Sequence, residues 1–129
     1  MTRQEIYAQV EQMLGGVPGW IKEEPDAVLE QVWATFTWIF SDTQLSGRDK
    51  ALVAFGAAAA IHCKYCIPFH TAQMALHGIA GDQVKEASWV ANSVSGFSTN
   101  LYGNDYDLDQ FLAELDAAVK HITSQAGQG

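Results

Sequence analysis

The stretch Ala51-Leu52-Val53-Ala54-Phe55-Gly56-Ala57-Ala58-Ala59-Ala60-Ile61-His62-Cys63-Lys64-Tyr65-Cys66-Ile67-Pro68-Phe69-His70 decides how this chain is read. Alanines at 51, 54, 57, 58, 59 and 60, with Gly56, form a helix of little side-chain bulk. Such a helix lets a neighbour approach closely, and the next segment in sequence is the natural neighbour. That segment, Cys63 to Leu76, continues helically and stops at Gly78, a C′ residue suited to the left-handed conformation. Pro68 cannot donate to the carbonyl of Lys64, so either the helix begins after Cys63 or its first turns are bent. The cysteines are therefore expected near its N-terminus.

Working outward, Thr2 with Glu5 has the form of a capping box, and Ile6, Val10, Met13 and Leu14 recur at helical spacing up to Gly15-Gly16. Gly15 to Pro25 reads as a connector holding a turn or a short helical piece anchored by Trp20 and Ile21. Val28, Leu29, Val32, Trp33, Phe36, Ile39 and Phe40 then mark an amphipathic helix with Asp26 as its N-cap, and Ser46 with Asp49 caps the alanine-rich helix that follows. Beyond Gly78, a helix is expected from Gly81-Asp82 through Val84, Ala87, Val90 and Ala91. A glycine- and asparagine-rich connector follows over Ser95 to Tyr106, a last helix over Leu108 to Ile122, and a loose tail over Gln125 to Gly129. No run shows sustained strand alternation. The fold class is all-α, a single compact domain over residues 1–129 with about six helices.

Composition excludes several functions. The chain has 129 residues, 48% of them hydrophobic and 17% charged, which suits a globular core. A formal charge of −8 offers no basic surface to a nucleic acid or an anionic membrane. No segment approaches the roughly 20 apolar residues of a membrane span. The N-terminus lacks the apolar core of a signal peptide, so the expected compartment is the cytosol. Both cysteines lie in one C-x-x-C motif, and in a reducing compartment that spacing points to redox chemistry or metal binding ahead of a structural disulfide.

On a continuous helix Cys66, His70 and His77 fall at about 300°, 340° and 320° from Cys63, one face for all four. A helix N-terminus and a neighbouring imidazole both favour thiolate. His70, four residues after Cys66, is placed to serve that sulfur directly, whereas Cys63 lies two turns from His70, about 10 Å along the axis. This favours Cys66 as nucleophile and Cys63 as resolving thiol, although the dipole alone favours thiolate at Cys63. Zinc held by Cys63, Cys66, His70 and either His62 or His77 is a rival, weakened because compact zinc sites draw ligands from separate elements. His77, just before Gly78, suits helix capping better than catalysis. Trp33, Trp38 and Trp89 read as core or subunit contacts.

The run Ala57 to Thr71, followed by Ala75-Leu76-His77-Gly78-Ile79 and a new acidic helix start, resembles the carboxymuconolactone decarboxylase family, and more narrowly its AhpD-like alkylhydroperoxidase branch. The resemblance spans about Ser46 to Val94. It implies an all-α homo-oligomer, a trimer or hexamer, without cofactor or metal. Its substrate would be a hydroperoxide, reduced by a dithiol that a disulfide-reducing electron donor recharges. Carried over by position, Cys66 is the peroxide-reactive thiol, Cys63 its disulfide partner and His70 the proton-relay member. The glutamate that the family's motif carries twelve residues before the first cysteine is Ala51 here. Asp49 is a poor substitute, being turned about 200° away, and His62 is the accessory group that could compensate. Loss of a general base costs on the order of 10² to 10⁴ in rate, so weak peroxidase activity or a dithiol oxidoreductase role with another substrate is implied. A metal- or ligand-binding oligomeric module without turnover is the alternative from another class. Muconolactone decarboxylation is disfavoured, because that branch generally lacks the C-x-x-C pair.

Overall fold

The computed structural model describes residues 1–127, which form seven α-helices and no strand: α1 (Arg3–Leu14), α2 (Gly19–Lys22), α3 (Asp26–Phe40), α4 (Gly47–Ala60), α5 (Cys66–Leu76), α6 (Asp82–Gly103) and α7 (Leu108–Ala126). The all-α reading holds. Two compact units are distinguished, Met1–Ser88 and the residues from Trp89 onward, the division falling inside α6.

In the first unit the local signals act as the sequence suggests. Thr2 accepts from the Glu5 amide while Glu5 accepts from the Thr2 amide, a full capping box at α1, and Gly15 ends that helix at φ +81°. α3 starts one step differently from expectation. Pro25, at φ −62° and ψ 148°, occupies the N-cap and makes no side-chain cap bond, while Asp26 is the first helical residue. The Asp26 carboxylate instead accepts from Arg3 Nε at 2.5 Å, tying α3 to α1. Extended backbone fixed by the proline ring is enough to set the helix start. Ile6, Val10, Ile21, Leu29 and Trp33 bury the contact between α1, α2 and α3, and Trp33 Nε1 donates to Gln9 Oε1 at 3.0 Å.

Ser46 caps α4 through the Asp49 amide. Gly47 follows because α4 starts hard against the end of α3, where a β-carbon at 47 would stand 2.7 Å from the Phe40 carbonyl oxygen. α4 then packs along α5. Ala51, Phe55, Met74 and Ile79 form a second buried cluster, with Leu52, Ala59, Ile67, Val84 and Ala87 partly buried around it. The alanines of α4 permit that close approach.

Two expectations are corrected further on. Ser95 to Gly103 is not a connector, since α6 runs unbroken to Gly103, and only Asn104 to Asp107 link it to α7. Val90, Val94, Phe97 and Leu101 continue the helical spacing, and Ser93, Thr99 and Asn104 direct their side chains to carbonyls four residues back instead of breaking the helix. α7 likewise absorbs Gln125 and Ala126 of the expected tail, while residues 128–129 lie outside the described residues. In this second unit neither α7 nor the α6 residues from Trp89 on are buried, and the apolar stripe Leu108, Leu112, Leu115, Val119 and Ile122 is exposed. Among the described residues no helix is long and apolar enough to cross a membrane.

Candidate redox site

The site begins where α4 ends. His62 sits at φ +56°, its amide bonds Ala59 O, and the next amide, that of Cys63, reaches back to Ala58 O at 3.1 Å. These two bonds close a Schellman motif with His62 at C′, a position where glycine is usual. The left-handed step turns the chain out of α4 and delivers Cys63 at the head of the next helix. His62 therefore has a backbone task, and its side chain is exposed.

α5 begins at Cys66, not at Cys63. Pro68 is the reason: in the first turn of a helix that starts at Cys66 its missing N–H has no intrahelical partner to lose. The Ile67 amide bonds Cys63 O, so the turn that carries both cysteines leads directly into the helix. Cys63 and Cys66 are joined as a disulfide, with Cα atoms 5.2 Å apart, and both residues are half-buried. The Cys66 amide also donates to the Cys63 sulfur at 3.1 Å. Cys63 thus takes the position of a capping side chain over the helix N-terminus, where partial positive charge favours a thiolate. The single-face alignment expected for Cys63 with Cys66, His70 and His77 does not survive, because Cys63 precedes the helix.

His70 lies one turn beyond Cys66 within α5, the spacing that makes side chains neighbours. Its ring edge meets Phe69, which packs against Phe36 and Phe40 of α3 at centroid distances of 5.6 and 5.9 Å. These aromatics anchor the half-buried histidine's end of α5 to α3. The Nδ1 of His70 is 2.8 Å from Gln73 Oε1, and Gln73 Nε2 donates to the Ile39 carbonyl at 3.3 Å. Gln73 is 1% exposed. Sequence reasoning missed it: a glutamine three residues after the histidine gives no sign by itself that its amide is turned inward.

The relay position at Ala51 is fully buried among Phe55, Met74 and Ile79, an apolar setting with no acid in the cluster. Asp49 is exposed in the first turn of α4, beside Arg48. Lys50, the other polar side chain buried here, donates to Trp38 O at 2.9 Å and lies over the Trp38 ring, capping the end of α3. His77 is the C-cap of α5, and its ring approaches the backbone at Gly47. Among the described residues no three His, Cys, Asp or Glu side chains are grouped to hold a metal ion.

The carboxymuconolactone decarboxylase family model matches residues 26–102, more than half of the chain and a stretch that contains α3, α4, α5 and the cysteine turn. The chain belongs to the carboxymuconolactone decarboxylase family. The match reaches back beyond Ser46 to the start of α3, so the aromatic helix that packs on Phe69 is part of the family domain and not an appendage. The chain is also 31% identical over 78 residues to a Paracoccus denitrificans protein described as "uncharacterized protein 4 in cox locus", covering 60% of this chain and 66% of that protein, just under two thirds of its length. No solved structure matches the chain.

Proposed function

We propose that this member of the carboxymuconolactone decarboxylase family is a thiol-dependent peroxidase of the AhpD-like kind. The Cys66 thiolate attacks the terminal oxygen of a hydroperoxide; the O–O bond breaks, an alcohol leaves, and Cys66 becomes a sulfenic acid. The Cys63 thiolate then displaces water from that sulfur to form the disulfide, and an external dithiol donor returns both thiols. His70 serves the Cys66 step as proton carrier. The observation that carries this reading is the Cys63–Cys66 disulfide at the N-terminus of α5 with His70 one turn further on.

A second reading, a dithiol oxidoreductase with another substrate, is favoured by the apolar surroundings of Ala51, which leave His70 without the family's acid. A neutral relay lowers general-base power, so peroxide turnover slower by about 10² or more than that of a complete relay is expected. The proposal includes self-association into a trimer or hexamer: α7 presents an exposed apolar stripe of a kind that isolated soluble chains rarely leave open.

Titration of free thiols in the reduced protein before and after one equivalent of cumene hydroperoxide tests the reading. Two thiols should be lost per peroxide consumed, and Cys66→Ser should abolish consumption. Persistence of both thiols, or a Cys66→Ser protein that consumes peroxide like the parent, refutes it. Two thiols lost to a disulfide substrate but not to peroxide would select the second reading.

A further inference from the structure

The hydrogen bonds around Gln73 admit one consistent assignment. Ile39 lies in the last turn of α3, where carbonyls have no intrahelical donor, and its oxygen can only accept. The Gln73 group facing it must therefore be the NH₂, as the 3.3 Å Nε2 to Ile39 O contact has it. That fixes Oε1 toward His70, and an amide oxygen 2.8 Å from Nδ1 can only accept. Nδ1 must then carry a proton. In neutral His70 the lone pair is left on Nε2, the nitrogen further from the backbone. Burial holds the chain of bonds in place: Gln73 is 1% exposed, and among the described residues no buried side-chain nitrogen or oxygen lacks a partner.

We propose that Gln73 is the positioning residue of this site: it holds His70 in the Nδ1–H tautomer and so keeps Nε2 free to accept a proton. It takes over the orienting half of the work that a relay carboxylate performs, but not the proton-accepting half, since a neutral amide binds no proton near neutral pH. The tautomer claim stands on the hydrogen bonds alone. Its consequence for thiol oxidation rests on the dithiol reading proposed above. A histidine held in the wrong tautomer is a poor base even with its position unchanged.

Nitrogen-15 NMR of the imidazole in the full chain, reduced and oxidised, reads the tautomer without any need for turnover. The wild type should show a protonated Nδ1 and a lone-pair Nε2 at His70. Gln73→Met, similar in size but without an amide oxygen, should release the ring to a mixture containing Nε2–H and slow thiol oxidation by about 10- to 100-fold. Gln73→Glu, which keeps an acceptor for Nδ1–H but loses the donor to the Ile39 carbonyl, should retain Nδ1–H and recover part of the rate that Gln73→Met loses. Should Gln73→Met not fold, the wild type and Gln73→Glu spectra still decide. A wild-type His70 protonated on Nε2, or a Gln73→Met protein with the wild-type tautomer, overturns the proposal. Unchanged tautomers paired with a peroxide-inert wild type would instead count against the peroxidase reading and leave the assignment of Gln73 intact.

Discussion

The α4–α5 pair and helix α7 are both rich in apolar residues, yet they meet opposite fates. In the pair, Ala51, Phe55 and Met74 are sealed from solvent, and even a glutamine and a lysine are buried with every polar atom partnered. α7 has the cleaner apolar stripe and buries nothing. The difference teaches that periodicity marks a helix and its sticky face, while the bulk of the facing residues decides whether the chain can cover that face itself. Alanines and Gly47 let α3, α4 and α5 close on one another. α7 has no such surface within its own unit.

The largest test of this contrast is in stability. Met74→Ala should cost about 2–5 kcal/mol by denaturant unfolding, whatever the protein concentration. Leu115→Ala should cost stability only at concentrations where copies associate, because a bound second copy adds to apparent stability by mass action. A Leu115→Ala loss that is the same across a wide dilution series would break the contrast, placing that face against its own chain.

Next in size is the effect on assembly. Leu112→Glu combined with Leu115→Glu should leave the helical circular dichroism unchanged and reduce the mass by light scattering to a monomer. A double variant that keeps the parent's mass would remove the stripe from the proposed interface.

How much of this was legible in the sequence follows the range of each interaction. Capping by Thr2, Ser46 and Gly78 was readable because each depends on residues three or four apart. The start of α5 was bracketed correctly by Pro68, but the wheel that placed Cys63 on its face assumed a helix three residues too early. Ser95–Gly103 was misread because glycine and asparagine content was weighed above the continuing Val94, Phe97, Leu101 spacing. Gln73 was illegible: its partner is the Ile39 carbonyl, 34 residues away, and no local pattern announces a contact of that range. The cysteine pair and His70 stood out by residue type and spacing, whereas His62 was singled out for its imidazole when the fold uses its backbone.

That last point gives the smallest effect. His62→Gly should raise stability by about 0.5–1 kcal/mol by relieving a left-handed, β-carbon-bearing residue, and should leave the rate of thiol oxidation unchanged. A rate loss of tenfold or more would return His62 to the role of accessory group.

The central claim is that Cys63 and Cys66 form a working dithiol, and intact mass spectrometry of the reduced protein after a single equivalent of hydroperoxide tests it most directly. The account predicts a loss of roughly 2 Da, an intramolecular Cys63–Cys66 linkage on peptide mapping, and reversal by a dithiol reductant. An unchanged mass, or a stable addition of oxygen at one cysteine with the other thiol still free, would contradict it.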